Sequence, residues 1–95
     1  MPRVELARAA VEDLDHLIST LSLPADTRDR VRACLRPLAD FPRLGVELTG
    51  RWQGLRVLLG PWRWMLLVHL YDGATDRVIV VTIQDARASS AATSG

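Results

Sequence analysis

The sequence predicts an α+β domain: a short N-terminal strand, then two helices packed on an antiparallel β-meander of three strands. Three observations carry this prediction. Apolar residues recur at helical spacing over residues 7–38, and beyond Pro42 the period becomes two or nearly continuous. Gly60-Pro61 and Asp72-Gly73 then cut that later region into consecutive strands. A chain of 95 residues is one domain near the small end of what folds alone. Residues 1–87 are expected to form it, with residues 88–95, small and polar, as a flexible C-terminal tail.

Residues 3–6 alternate and are short, as suits an edge strand. Ala7, Ala10, Val11, Leu14, Leu17, Ile18 and Leu21 then share one helical face, with Glu12, Asp13, His16 and Ser19 opposite. Leu23-Pro24 ends this helix, because the residue before a proline is pushed out of the helical region. Asp26 is placed to cap a second helix whose buried face is Val31, Cys34, Leu35 and Leu38. Pro37 lacks an amide hydrogen and should stop or kink that helix near Arg36, leaving Leu38 and Phe41 to pack from an irregular turn. Residues 53–59, 62–71 and 77–84 read as the three strands.

Composition narrows the function classes. Hydrophobic residues make up 48% of the chain, too many for disorder, and the one cysteine, Cys34, cannot form an internal disulfide. No secretory leader or membrane-length apolar run is present, so a cytoplasmic protein without membrane contact is expected. Two distant histidines and one cysteine give no credible metal site, and no cofactor is expected. Net charge is only +1, but Arg43, Arg51, Arg56 and Arg63 meet Glu47 alone, which places any basic surface on the middle of the chain. The chain has no lysine. Arginine stays protonated, so it can clamp an anion but cannot act as a general base.

Three features stand out. Arg63 lies between Trp62 and Trp64, where a charge needs a partner or an open groove. Strand alternation would put Arg63, Met65, Leu67, His69 and Tyr71 on one face, with Trp62, Trp64, Leu66 and Val68 on the other. Arg63 and His69 would be about 20 Å apart along the strand at ~3.3 Å per residue, too far for one reaction centre, so His69 reads as structural. Arg28, Arg32 and Arg36 form a stripe on the second helix, either a solvated face or a contact surface for an acidic segment or a nucleic-acid backbone. Trp52, Trp62 and Trp64 are a dense set, of which an exposed member would anchor a partner.

Several segments, in this order and spacing, carry a resemblance. They are Val11-Glu12-Asp13-Leu14 in the first helix, Leu48-Thr49-Gly50-Arg51-Trp52 before the meander, Leu55-Arg56-Val57 with Gly60-Pro61-Trp62-Arg63, and residues 80–87 in the last strand. Together they resemble the RelE/ParE superfamily of toxins from bacterial type II toxin–antitoxin systems. The resemblance implies a cognate antitoxin as partner. It also implies one of two activities: ribosome-dependent mRNA cleavage, the RelE type, or inhibition of DNA gyrase without chemistry, the ParE type. Under the first, Arg63 would hold the scissile phosphate, Arg87 would steady the transition state, and Arg56 and Arg51 would line the RNA groove. Trp52, Trp64, Arg28 and Arg32 would meet the antitoxin. The sequence departs from the nuclease pattern where residues 88–93 replace a C-terminal acid–base residue, and in lacking groove lysines. The sequence reading favours ribosome-dependent mRNA cleavage, with gyrase inhibition and a degenerate member that only binds a partner as the alternatives.

Overall fold

The computed structural model describes residues 2–88. Its elements are β1 (Arg3–Leu6), α1 (Arg8–Leu21), α2 (Thr27–Leu35), a 3-10 turn (Arg36–Ala39), β2 (Val46–Glu47), a second 3-10 turn (Gly50–Trp52), β3 (Arg56–Leu59), β4 (Met65–Asp72) and β5 (Arg77–Asp85). The strands form one sheet in the order β1-β5-β4-β3-β2. The meander β3-β4-β5 is antiparallel, and β1 lies parallel to β5 with Val4 opposite Val78. The predicted α+β architecture therefore stands, with one strand more than expected. The expected tail falls almost wholly outside the described residues.

Local chemistry explains most boundaries. α1 ends at Ser22, which takes a left-handed conformation and donates its amide to Ile18 O, after which Pro24 bars continuation. Asp26 does not cap α2 as expected: its carboxylate accepts from Arg30 Nε at 3.0 Å, one helical turn on. The buried Thr27 hydroxyl instead donates to Pro24 O at 2.6 Å. Pro37 falls in the first turn of the 3-10 segment, where its missing N–H costs little. Leu38 behind it is fully buried, but Phe41 is 63% exposed and does not join the core.

β2 has no counterpart among the predicted strands, because two residues carry no readable period. It exists because Gly45, at φ +109°, lets the chain press against β3; a Cβ there would sit 2.7 Å from Val57 O. The connection from β3 to β4 is also longer than a Gly-Pro turn. Gly60 N–H donates to Met65 O at 2.8 Å, and Met65 N–H closes a β-turn on Trp62 O at 3.0 Å.

The sheet is buried on both faces. Ala10, Leu14, Val31, Leu35 and Leu38 from the helices cover Met65, Leu67, Val78, Val80 and Ile83. On the opposite face Leu48, Leu66 and Val68 make a smaller cluster with Trp52, Leu55 and Val57 packed against it. This is why β4 reads as a continuous apolar run: Met65 through His69 are all buried. Asp13 secures α1 to the sheet, accepting from Thr82 Oγ1 at 2.5 Å and from Ile83 N–H at 3.2 Å. That bond lies close to an irregularity in the β4-β5 register at Val68/His69.

Candidate arginine site at the start of strand β4

The turn leading into β4 brings together the groups that the sequence singled out. Arg63 and Trp64 occupy the two corner positions of the β-turn closed by Met65. Arg63 is exposed and, among the described residues, forms no ion pair. Trp62 and Trp64 stack on each other with centroids 5.8 Å apart and planes 11° from parallel. Both pack on the helix-covered core beside Met65 and Leu67, not on the face of Leu66 and Val68 that alternation predicted. The reason is that residues 62–64 form a turn, so the two-residue period does not begin until Met65.

Arg87 reaches this turn from the end of β5. Ala86 N–H donates to Trp64 O at 2.6 Å, and the Arg87 guanidinium lies 4.8 Å above the Trp64 ring. It also grips both carboxylate oxygens of Asp85, at 2.8 and 2.7 Å. That bidentate pair lowers the Asp85 pKa below the ordinary carboxylate value and raises that of Arg87. At the other end of the stack Arg30 of α2 sits 5.8 Å from the Trp62 ring. The result is a row of alternating origin, Arg30, Trp62, Trp64, Arg87, that joins α2, the turn and β5. The family resemblance placed Arg63 and Arg87 in one site, but sequence reasoning missed Arg30, which no local spacing connects to Trp62.

The remaining predicted residues lie elsewhere. Arg56 pairs across the sheet with His69, four residues along β4 from Met65 and so about 13 Å from the turn at ~3.3 Å per residue. Its guanidinium donates to Gly45 O at 3.2 Å and lies 4.0 Å from Glu47, tying β2 to β3. Arg51 stacks over Trp52 at 5.2 Å, and Trp52 covers the smaller core. Arg56 is thus engaged at β2 and Arg51 at Trp52. His69 is wholly buried, with Leu44 O 2.9 Å from Nε2 and Leu67 O 3.1 Å from Nδ1. It holds the chain before β2 against the sheet and has no route to a substrate. Arg28 and Arg32 lie on α2, paired with Asp15 at 2.5 Å and Asp29 at 3.8 Å. Both line a shallow groove between α2 and the α1–β1 side, floored by Leu6, Val11, Leu14 and Val31.

Burial pushes the Cys34 thiol pKa above its ordinary value. Among the described residues no cluster of three His, Cys, Asp or Glu is placed to hold a metal ion, and no helix is long and apolar enough to cross a membrane.

Residues 4–89 match the family model described as ParE toxin of type II toxin-antitoxin system, parDE. Solved structures share the fold, among them the following three. The chromosomal ParDE toxin–antitoxin system from P. aeruginosa superimposes with a TM-score of 0.70 at 16% identity, covering 92% of this chain and 98% of that one. The isolated E. coli RelE toxin gives 0.65 at 13% identity, with 95% and 89% covered. The toxin–antitoxin complex RelBE2 from Mycobacterium tuberculosis gives 0.59 at 20% identity, with 90% and 99% covered. Comparison with curated protein sequences returned no match.

Proposed function

We propose, from the premise that this chain belongs to the ParE toxin family of type II toxin–antitoxin systems, that it acts by binding DNA gyrase and blocking it without chemistry of its own. The observation that carries this reading is the surroundings of Arg63. Its exposed guanidinium can engage an anionic surface, but the groups arranged around its turn are two indoles and further arginines. The carboxylate brought to this turn, Asp85, has both oxygens on Arg87 and a lowered pKa, so it is a weak base. Arginine cannot fill that role. A site of this kind supports recognition, and among the described residues around the turn no group is placed for proton transfer.

A second reading, ribosome-dependent mRNA cleavage, draws on the same turn. Arg63 and Arg87 stand on neighbouring segments, and both could face a phosphate if Arg87 exchanged Asp85 for it. Purified toxin distinguishes the two. Inhibition of gyrase supercoiling at micromolar protein with no ribosome-dependent cleavage supports the binding reading; cleavage with supercoiling untouched replaces it with the nuclease.

The partner in either case is a cognate antitoxin. The α2 groove suits an acidic amphipathic segment of it, with Leu6 and Val11 as floor and Arg28 and Arg32 at the rim. The ion pairs of those arginines are exposed and weak, so a new carboxylate can displace the old one at little cost.

A further inference from the structure

We infer that Trp62 and Trp64 are positioning residues for Arg63, forming a clamped pedestal that fixes the backbone from which its side chain projects into solvent. The inference rests on the reading of Arg63 as the contact residue and says how the fold presents it.

An exposed arginine on a loop ordinarily loses much conformational freedom when it binds, and that loss weakens the contact. Here the backbone around Arg63 is held from several directions. Two hydrogen bonds close the turn on itself, Gly60 N–H to Met65 O and Met65 N–H to Trp62 O. A third, Ala86 N–H to Trp64 O, ties it to the chain leaving β5. The flanking indoles lie face to face on the side of the helix-covered core, and the residue between them is left exposed.

The stack is flanked at each end by a cation that also meets a carboxylate. Arg30 approaches Trp62 while bonded to Asp26 at 3.0 Å, and Arg87 covers Trp64 while bonded to Asp85. Both guanidiniums are thus engaged by carboxylates, which leaves Arg63 as the uncompensated charge of the group. Gly60 lies close under the strand start: a Cβ there would stand 2.9 Å from Met65 Sδ, so a larger residue would require the Met65 side chain to shift. Two bulky aromatics flanking a charge in a short turn are costly to keep partly exposed. Presenting the residue between them gives a reason for both.

The test combines potency with a direct measure of order at Arg63. Wild type, Trp64→Leu, Trp64→Phe and Arg30→Gln are compared, each alone and with Arg63→Ala. Potency is read both as growth arrest on induction and as gyrase inhibition, and order as the NMR order parameter of the Arg63 amide. Trp64→Leu is expected to lower potency about tenfold, as when one well-placed side chain stops contributing to binding. Its Arg63 amide should fall from about 0.85, typical of rigid backbone, to below about 0.6. On the Arg63→Ala background it should cost nothing further. Trp64→Phe, which restores a ring, should recover most of the potency, and Arg30→Gln, which leaves both indoles in place, should cost only about threefold. An Arg63 amide that stays ordered in Trp64→Leu overturns the inference. So does an equal loss of potency with and without Arg63. A toxin that arrests growth but leaves gyrase untouched removes the target reading alone, since growth arrest and the amide measurement do not involve gyrase.

Discussion

The two ends of β4 carry similar residue types and treat them in opposite ways. At its far end every polar group closes on the protein. His69 faces two backbone carbonyls, the Tyr71 hydroxyl donates to Asp76 at 2.7 Å, and Asp72 accepts from Ala74 N–H and the Thr75 hydroxyl. Arg43 lies over the Tyr71 ring at 5.0 Å. At its near end a similar set of arginines and aromatics is assembled, yet Arg63 is left exposed. A cation and an aromatic ring near each other therefore do not mark a site. What distinguishes the two ends is a charge that stands on a hydrogen-bonded turn and is left uncompensated.

The comparison makes predictions that differ in size. The largest concerns the closed end. His69→Ala should cost about 3 kcal/mol, since it removes a buried side chain and its hydrogen bond to a backbone carbonyl. Urea denaturation measures this, and the folded fraction should remain toxic. A His69→Ala protein that is stable yet inactive would move the site to that end of the strand.

Gly45→Ala comes next, at about 2 kcal/mol, because a side chain there meets Val57 O and demands a left-handed backbone. Thermal denaturation reads it, with toxicity again following the folded fraction. Arg63→Ala should behave in the reverse manner, with stability within about 0.5 kcal/mol of wild type. Its potency in growth arrest should drop about tenfold or more. Loss of fold in Arg63→Ala would erase the contrast between the two ends.

The smallest effect is electrostatic. The pKa of Asp85 is held below the ordinary aspartate value of 3.8 by its bonds to Arg87. A depressed carboxylate contributes stability that is present above the unfolded value and is lost as pH falls through the folded one. Arg87 should therefore stay paired at neutral pH and be released only under strong acid, with Asp85→Asn removing that acid transition. The Arg87 Nε resonance followed against pH reports it. A transition near neutrality would mean that Arg87 is not held as the geometry indicates.

Much of the architecture is legible without coordinates. The helical stripe of α1, the end of α2 before Pro37 and the three meander strands all follow from local period and from two residue types, proline and glycine, with unusual backbones. Arg63 stands out by its place between two tryptophans and Arg87 only through the family resemblance, while the structural role of His69 follows from strand spacing. The stripe of α1 nevertheless overstates its burial, since Val11 and Leu21 remain exposed at an incompletely covered edge.

What only the tertiary structure decided are meetings between residues far apart in the chain. The parallel seat of β1 on β5, the pairing of β2, Asp13 on Thr82, Arg30 on Trp62 and the approach of Arg87 to Trp64 all belong here. The division has a simple physical cause. Periodicity records whether a side chain is buried, because burial repeats with the backbone. It does not record what that side chain is buried against. Alternation misplaces Trp62 and Trp64 because a β-turn, closed by one hydrogen bond three residues apart, resets the period just before the strand begins. The arginine between them is visible in the sequence; the reason it stands free is not.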